Sequence, residues 1–180
     1  MEPVDDLELA VELINTVYEL ADPPDRLTDV AFYQRGLKRL GEAELAEQLT
    51  AQDLQPLRIL RDRLRGVFLA STTAEATPLL NALLREANAV PQLILDDQGK
   101  AALDWGVGRY GYSALAARLP GSLTTFVTSP LGVRRLGTCA ATPCECVFVD
   151  RTRPGNRRYC CDSCNDRASA AAYRDRHKVG

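Results

Sequence analysis

Two close cysteine pairs near the C-terminus constrain this chain more than any other feature. Cys139 and Cys144 enclose CAATPC, and Cys160 and Cys164 enclose CCDSC. Between them lies FVDRTRPGNRRY, a short stretch crowded with arginine. Two pairs separated by a hairpin-length segment are what one tetrahedral ion needs. Thiolate sulfurs sit about 2.3 Å from zinc, so each pair must bend its backbone to turn two sulfurs inward. A closed shell of four thiolates is structural, because no position stays open for water. Such a unit is too small to build its own core, and the metal takes the place of one.

Charge divides the chain at the same place. The whole chain carries −2. From Arg134 onward there are ten basic residues against five acidic ones, a net +5. The remaining twelve basic and nineteen acidic residues give −7. A basic tail on an acidic body reads as a module for a charged partner attached to a separate domain. The chain has no run of about 18 apolar residues, so no membrane span is expected. The acidic start MEPVDDLE lacks the pattern of a secretion signal. All six cysteines lie between Cys139 and Cys164 instead of being spread as a disulfide framework. The expectation is a cytoplasmic protein with metal-bound, reduced thiols.

Upstream, the periodicity is mostly helical. Leu7, Leu9, Val11, Leu13, Ile14 and Val17 predict an amphipathic helix over 6–20, ending before Asp22-Pro23-Pro24. Thr28 or Asp29 caps a second helix through about Leu40, and a third covers Glu42 to Leu49. Asp53 opens a longer helix carrying Leu57, Leu60, Leu64, Val67 and Phe68 on one face. Pro78 reads as the first turn of another, through about Ala89. PQLILDD and KAALDWGV read as paired strands around a Gln98-Gly99 turn. A short helix over Tyr112 to Leu119 is expected to end or kink at Pro120-Gly121, and Leu123 to Val127 is ambiguous. Ser129-Pro130 is the natural break. The fold class is therefore α+β and mostly helical. A helical N-terminal domain with a small β-hairpin (1–130) precedes a C-terminal treble-clef-like zinc finger (134–180).

Within the finger, Cys139-x4-Cys144 forms a knuckle, Glu145 to Val149 a strand, and Arg157 to Tyr159 its partner strand. Cys160-x3-Cys164 opens a helix that Asp162 or Ser163 caps. Cys161-x2-Cys164 is also good zinc spacing, so spacing alone leaves Cys160 and Cys161 in competition. Cys146 reads as a packed thiol. His177 lies too far along the helix to reach the metal, at about 1.5 Å per residue.

The residues Cys139-x4-Cys144, Phe148-x-Asp150, Arg157-Arg158-Tyr159-Cys160 and Cys164-Asn165-Asp166-Arg167 resemble the CGNR-type zinc finger. The upstream part resembles the ABATE domain, on the Asn15-Thr16 pair, the β-like pair near Leu93 and Trp105, and Thr128-Ser129-Pro130. The resemblance covers nearly the whole chain and implies zinc, DNA binding and a stress-responsive bacterial transcription regulator. It favours Cys160 with Cys164 as ligands beside Cys139 and Cys144. Asn165 replaces the glycine of the name-giving motif, and Asp166 adjoins Arg167.

Arginine suits phosphate because its planar fork donates two hydrogen bonds. Arg151, Arg153, Arg157 and Arg158 decorate the hairpin. Arg167, Arg174 and Lys178 fall at i, i+7 and i+11 on one face of the final helix, which four alanines keep slim. These seven residues are the candidate nucleic-acid contacts, against the plainer reading of a solvated arginine surface. Gly106-x-Gly108-x-x-Gly111 matches a dinucleotide fingerprint, but no βαβ unit or downstream acid accompanies it. Its glycines read as a turn into a helix. Asn15 and Thr16 fit local hydrogen bonds within the helical body better than a ligand or module contact. Trp105, Tyr110 and Tyr112 fit core packing better than a pocket for an effector. The lone histidine, His177, leaves the body without a Ser-His or Cys-His arrangement, so an enzyme is not expected. The rival reading is a protein- or RNA-binding adaptor with a structural zinc tail.

Overall fold

The computed structural model describes residues 5–95, 99–130 and 132–177. These form seven α-helices and two two-stranded sheets, the mostly helical α+β architecture expected. The first helix, α1 (Asp6–Ile14), is capped by Asp5, whose side chain accepts from Leu7 N–H. It ends six residues before the expected Leu20. Beyond it the chain satisfies its backbone by doubling back through Asp22-Pro23-Pro24, instead of continuing the helix. Tyr18 N–H donates to the Pro24 carbonyl and Arg26 N–H to the Thr16 carbonyl, both at 2.9 Å.

Helix α2 (Val30–Arg39) is capped by Asp29 as anticipated, and α3 (Ala43–Gln48) follows. A capping box of Thr50 and Asp53 leads into α4 (Leu54–Leu69). Helix α5 (Thr73–Glu86) starts earlier than Pro78 implies, because Thr72 provides a side-chain cap. Pro78 lies on an exposed face, so the Ala74 carbonyl it cannot bond is left to water. Strands β1 (Gln92–Leu95) and β2 (Ala101–Asp104) pair antiparallel, with Leu93 opposite Leu103. Gln98 of the expected turn lies outside the described residues.

Helix α6 (Gly111–Val127) passes straight through Pro120-Gly121, against the expected break. Burial explains this. Leu115, Leu119 and Leu123 are fully buried on one stripe, and that packing outweighs one missing backbone bond. Gly121 is there for a different reason. A Cβ at this position would stand 2.2 Å from the Trp105 ring, which lies directly against the helix. The glycines from Gly106 to Gly111 make the turn into α6, with Gly108 and Gly111 both at positive φ.

The finger contributes β3 (Leu136–Thr138), β4 (Val147–Val149) and α7 (Asp162–His177). The expected pairing of 145–149 with 157–159 is not formed. β4 pairs antiparallel with β3, and 157–159 is irregular. Strand β3 is only three residues long and carries Gly137, so periodicity could not mark it. Leu136, Val147 and Val149 belong to the same hydrophobic cluster as Leu9 and Leu13 of α1, Leu64 of α4 and Leu119 of α6. Body and finger therefore share one core.

Candidate metal centre and arginine loop

Cys139 leaves β3, and the turn to Cys144 closes with Cys144 N–H donating to the Ala141 carbonyl at 2.7 Å. Cys139 N–H donates to the Cys146 carbonyl at 2.8 Å, extending the β3–β4 ladder past the knuckle. Cys160 precedes α7, and Cys164 lies in its first turn. The Sγ atoms of Cys139, Cys144, Cys160 and Cys164 all lie within 4.8 Å of one another. Cys144 and Cys160 Sγ are 3.8 Å apart, and Cys160 and Cys164 Sγ are 3.6 Å apart. A tetrahedron with 2.3 Å zinc–sulfur bonds has edges of about 3.8 Å, so the donor set fits that ion.

The surroundings suit negative sulfur. Cys160 N–H donates to Cys139 Sγ at 3.5 Å. Burial pushes the Cys139 thiol up, but N–H groups of Cys160 and Ala141 outweigh it and hold the thiol below its ordinary value. Arg167 donates to Cys164 Sγ at 3.3 Å and to the Ala141 carbonyl at 3.4 Å. Its guanidinium is thus turned onto the sulfurs, not out along the face shared with Arg174. Tyr18, from the body, packs against the cluster. Cys146 lies outside the four-sulfur group, and burial raises its thiol to about 12, as a packed thiol requires. Cys161 is exposed and also outside the group. His177 stacks on Tyr173 at a centroid distance of 4.1 Å, away from the cluster.

Residues 151–158 are exposed without interruption and carry four arginines and no acid. Buried Asp150 holds this loop. One carboxylate oxygen accepts from Thr152 N–H (2.8 Å) and Oγ1 (2.6 Å), and the other from Arg157 N–H (2.9 Å). Burial alone would raise the Asp150 carboxyl. The hydrogen bonds from Thr152 and Arg157, with Arg135 nearby, outweigh it and hold the group below its usual value. A depressed folded-state pKa contributes stability above the unfolded carboxyl value of about 3.9. That contribution is lost as pH falls through the lower folded value. Asp150→Ala is expected to cost about 2–3 kcal/mol and to open the bonds after Arg151 and Arg157 to trypsin. Limited proteolysis and denaturant melts between pH 3 and 7 check this, and the variant's stability should fall less on acidification.

The arginines divide by what they touch. Arg151 pairs with Asp5 of the body. Arg157 donates to the Tyr159 carbonyl (2.9 Å) and the Cys160 carbonyl, and lies over the Phe148 ring. Arg158 lies over Tyr159. Among the described residues, no hydrogen bond or ion pair engages the guanidinium of Arg153, Arg158 or Arg174. Lys178 lies outside the described residues.

Two clamps fix the finger to the body. Asn15 Nδ2 donates to the Val147 carbonyl at 3.0 Å, and Val147 N–H donates to Asn15 Oδ1 at 2.8 Å. The side-chain amide thus pairs with β4 as a strand edge would. This corrects the local reading of Asn15, while Thr16 keeps its local bond to the Leu13 carbonyl. Arg65 of α4 donates to the Glu145 carbonyl (2.9 Å) and carboxylate (2.8 Å).

A helical body joined to a cysteine-organised, arginine-bearing tail defines a zinc-finger protein. The chain belongs to the ABATE family, whose model matches residues 7–130 and is described as "Putative stress-induced transcription regulator". Residues 135–177 match the CGNR zinc finger, and the protein binds zinc through it. None of the curated proteins compared with the chain matches it. Among the described residues, no helix is long and apolar enough to cross a membrane.

Proposed function

We propose that this protein is a cytoplasmic DNA-binding transcription regulator whose zinc is held by Cys139, Cys144, Cys160 and Cys164 in a treble-clef plan. The exposed, acid-free arginine loop 151–158 carries this reading. It is pinned at one end by Asp150 and runs at the other into the metal cluster, so its arginines are presented on a fixed frame. Arg153 and Arg158 meet phosphates first, because their guanidinium groups are not otherwise hydrogen-bonded. Arg151 and Arg157 add positive potential while bracing the loop. Arg174 extends the contact along α7, Lys178 is a further proposed contact, and Arg167 serves it indirectly by steadying the cluster. Apart from its first turn, α7 is largely exposed, as a helix entering a groove must be. Residues 1–130 and 134–180 act as sensing and binding parts. The cavity of about 340 Å³ bounded by Leu60, Arg63, Leu83 and Tyr112 is the place for a small effector.

Phosphate contacts release counterions, so the logarithm of duplex affinity falls linearly with the logarithm of salt. Arg153→Gln and Arg158→Gln are each expected to lower that slope by about 1 and leave zinc content unchanged. Anisotropy titrations across a salt series measure both. Absence of duplex binding at low salt would sink the proposal and favour an RNA- or protein-binding adaptor. One observation supports that second reading: the outward face of the β1–β2 hairpin presents Leu93 (76% exposed), Leu95 (72%) and Leu103 (51%) to solvent.

A further inference from the structure

We propose that Cys161 and Cys164 are an oxidisable pair, and that a disulfide between them withdraws Cys164 from the metal and releases zinc. The inference rests on the four-cysteine ligand set proposed above. Cys161 is the exposed thiol of the cluster region, whereas Cys139, Cys144 and Cys164 are buried. Its carbonyl accepts the Asn165 N–H at 3.2 Å, which places Cys161 at the entry to α7, three residues before Cys164.

Backbone geometry selects this pair. Helical residues three apart have Cα atoms about 5 Å apart, inside the disulfide range of roughly 4.4–6.8 Å. Cys160 Sγ also lies 3.8 Å from Cys161 Sγ. Adjacent residues, however, have Cα atoms only about 3.8 Å apart, below that range. Cys160 and Cys161 also line a surface cavity of about 460 Å³ bounded by α1 and β4, with Glu8, Phe148 and Arg157 in its walls. A small oxidant therefore reaches Cys161 directly from solvent.

The oxidant is a hydroperoxide. The Cys161 sulfur attacks the outer peroxide oxygen. An S–O bond forms, the O–O bond breaks, and the alcohol or water leaves with the thiol proton. Cys161 has then lost two electrons to the peroxide and stands as a sulfenic acid. The Cys164 thiolate attacks Cys161 Sγ, forming S–S and breaking S–O, and hydroxide leaves to take up a proton. In sum, one thiol, one thiolate, one proton from solvent and one hydroperoxide give one disulfide, one alcohol or water, and one further water. Only Cys139, Cys144 and Cys160 would remain to hold zinc, too few to close the shell, so the ion would leave, and Arg167 loses its sulfur partner.

The test treats zinc-loaded full-length protein with hydrogen peroxide and follows released zinc with a colorimetric chelator, alongside peptide mapping of disulfides. The expected result is one zinc released per Cys161–Cys164 disulfide, reversed by dithiothreitol and added zinc. Cys161→Ser and Cys161→Ala should start with full zinc and release it at least about tenfold more slowly. Release at the wild-type rate from both variants, or release without the Cys161–Cys164 disulfide, overturns the inference and leaves the ligand set standing. Wild-type protein purified without zinc overturns the ligand set and this inference together.

Discussion

Stripping zinc with a strong chelator is expected to unfold the finger and to lower the Tm of the helical body by about 10 °C or more. Zinc binding to such sites is worth roughly 10–16 kcal/mol, and that energy is folding energy because no site exists in the unfolded tail. In a modular protein the loss would stop at the seam. Here Leu136, Val147 and Val149 lie in the body's own core. Burying each such side chain is worth about 1.5–3 kcal/mol. Loss of the hairpin therefore removes roughly 4 kcal/mol or more from the body, at about 2–4 °C per kcal/mol for a chain of this size. Calorimetry with and without chelator, read with backbone circular dichroism, tests this. A body transition that stays within a few degrees would show that finger and body fold independently. Cys164→Ser should reproduce the chelated state, because the three remaining thiolates do not close the zinc shell.

Asn15→Ala is expected to cost about 2–4 kcal/mol, although Asn15 touches neither the metal nor any proposed DNA contact. The amide satisfies both the N–H and the carbonyl of Val147. Removing it leaves two half-buried backbone groups without partners, at about 1–3 kcal/mol each before relaxation. Asn15→Asp is the sharper variant. A carboxylate still accepts from Val147 N–H but cannot donate to the Val147 carbonyl, and it sets a negative charge against that oxygen. It should be at least as destabilising as alanine at pH 7 and recover as pH falls below the carboxyl range. Chemical denaturation with intact zinc measures all three proteins. Equal stability of wild type and Asn15→Ala would show that the shared core alone holds the finger.

The sequence made the metal site readable because its chemistry is local. Four sulfurs in two short loops need no knowledge of the rest of the chain. Helix positions were nearly as clear wherever a cap or an apolar stripe marked them, as at Asp29 and along Leu57, Leu60 and Leu64. What was hidden depended on distance or context. Pro120 reads as a breaker until Leu115, Leu119 and Leu123 are seen to be buried together. Strand β3 is too short to show a period, and its partner lies beyond the knuckle, so sequence pattern places the hairpin on 145–149 and 157–159 instead. Asn15 meets Val147 across 132 positions, and no local pattern announces that contact. Arg167 shares a helical repeat with Arg174, yet the adjacent sulfurs turn it inward.

The continuous core bears on how such proteins diversify. The surface proposed to meet a partner, residues 151–158 and the outer side of α7, lies beyond the seam and makes few demands on the interior. It can change composition freely. The inner side of the same finger is part of the body and must change in step with α1 and α4. A finger transplanted from a relative would arrive with apolar side chains shaped for another interior. Variation in what is recognised is thus cheap, whereas exchange of the whole recognising unit requires matched changes in the helices beneath it.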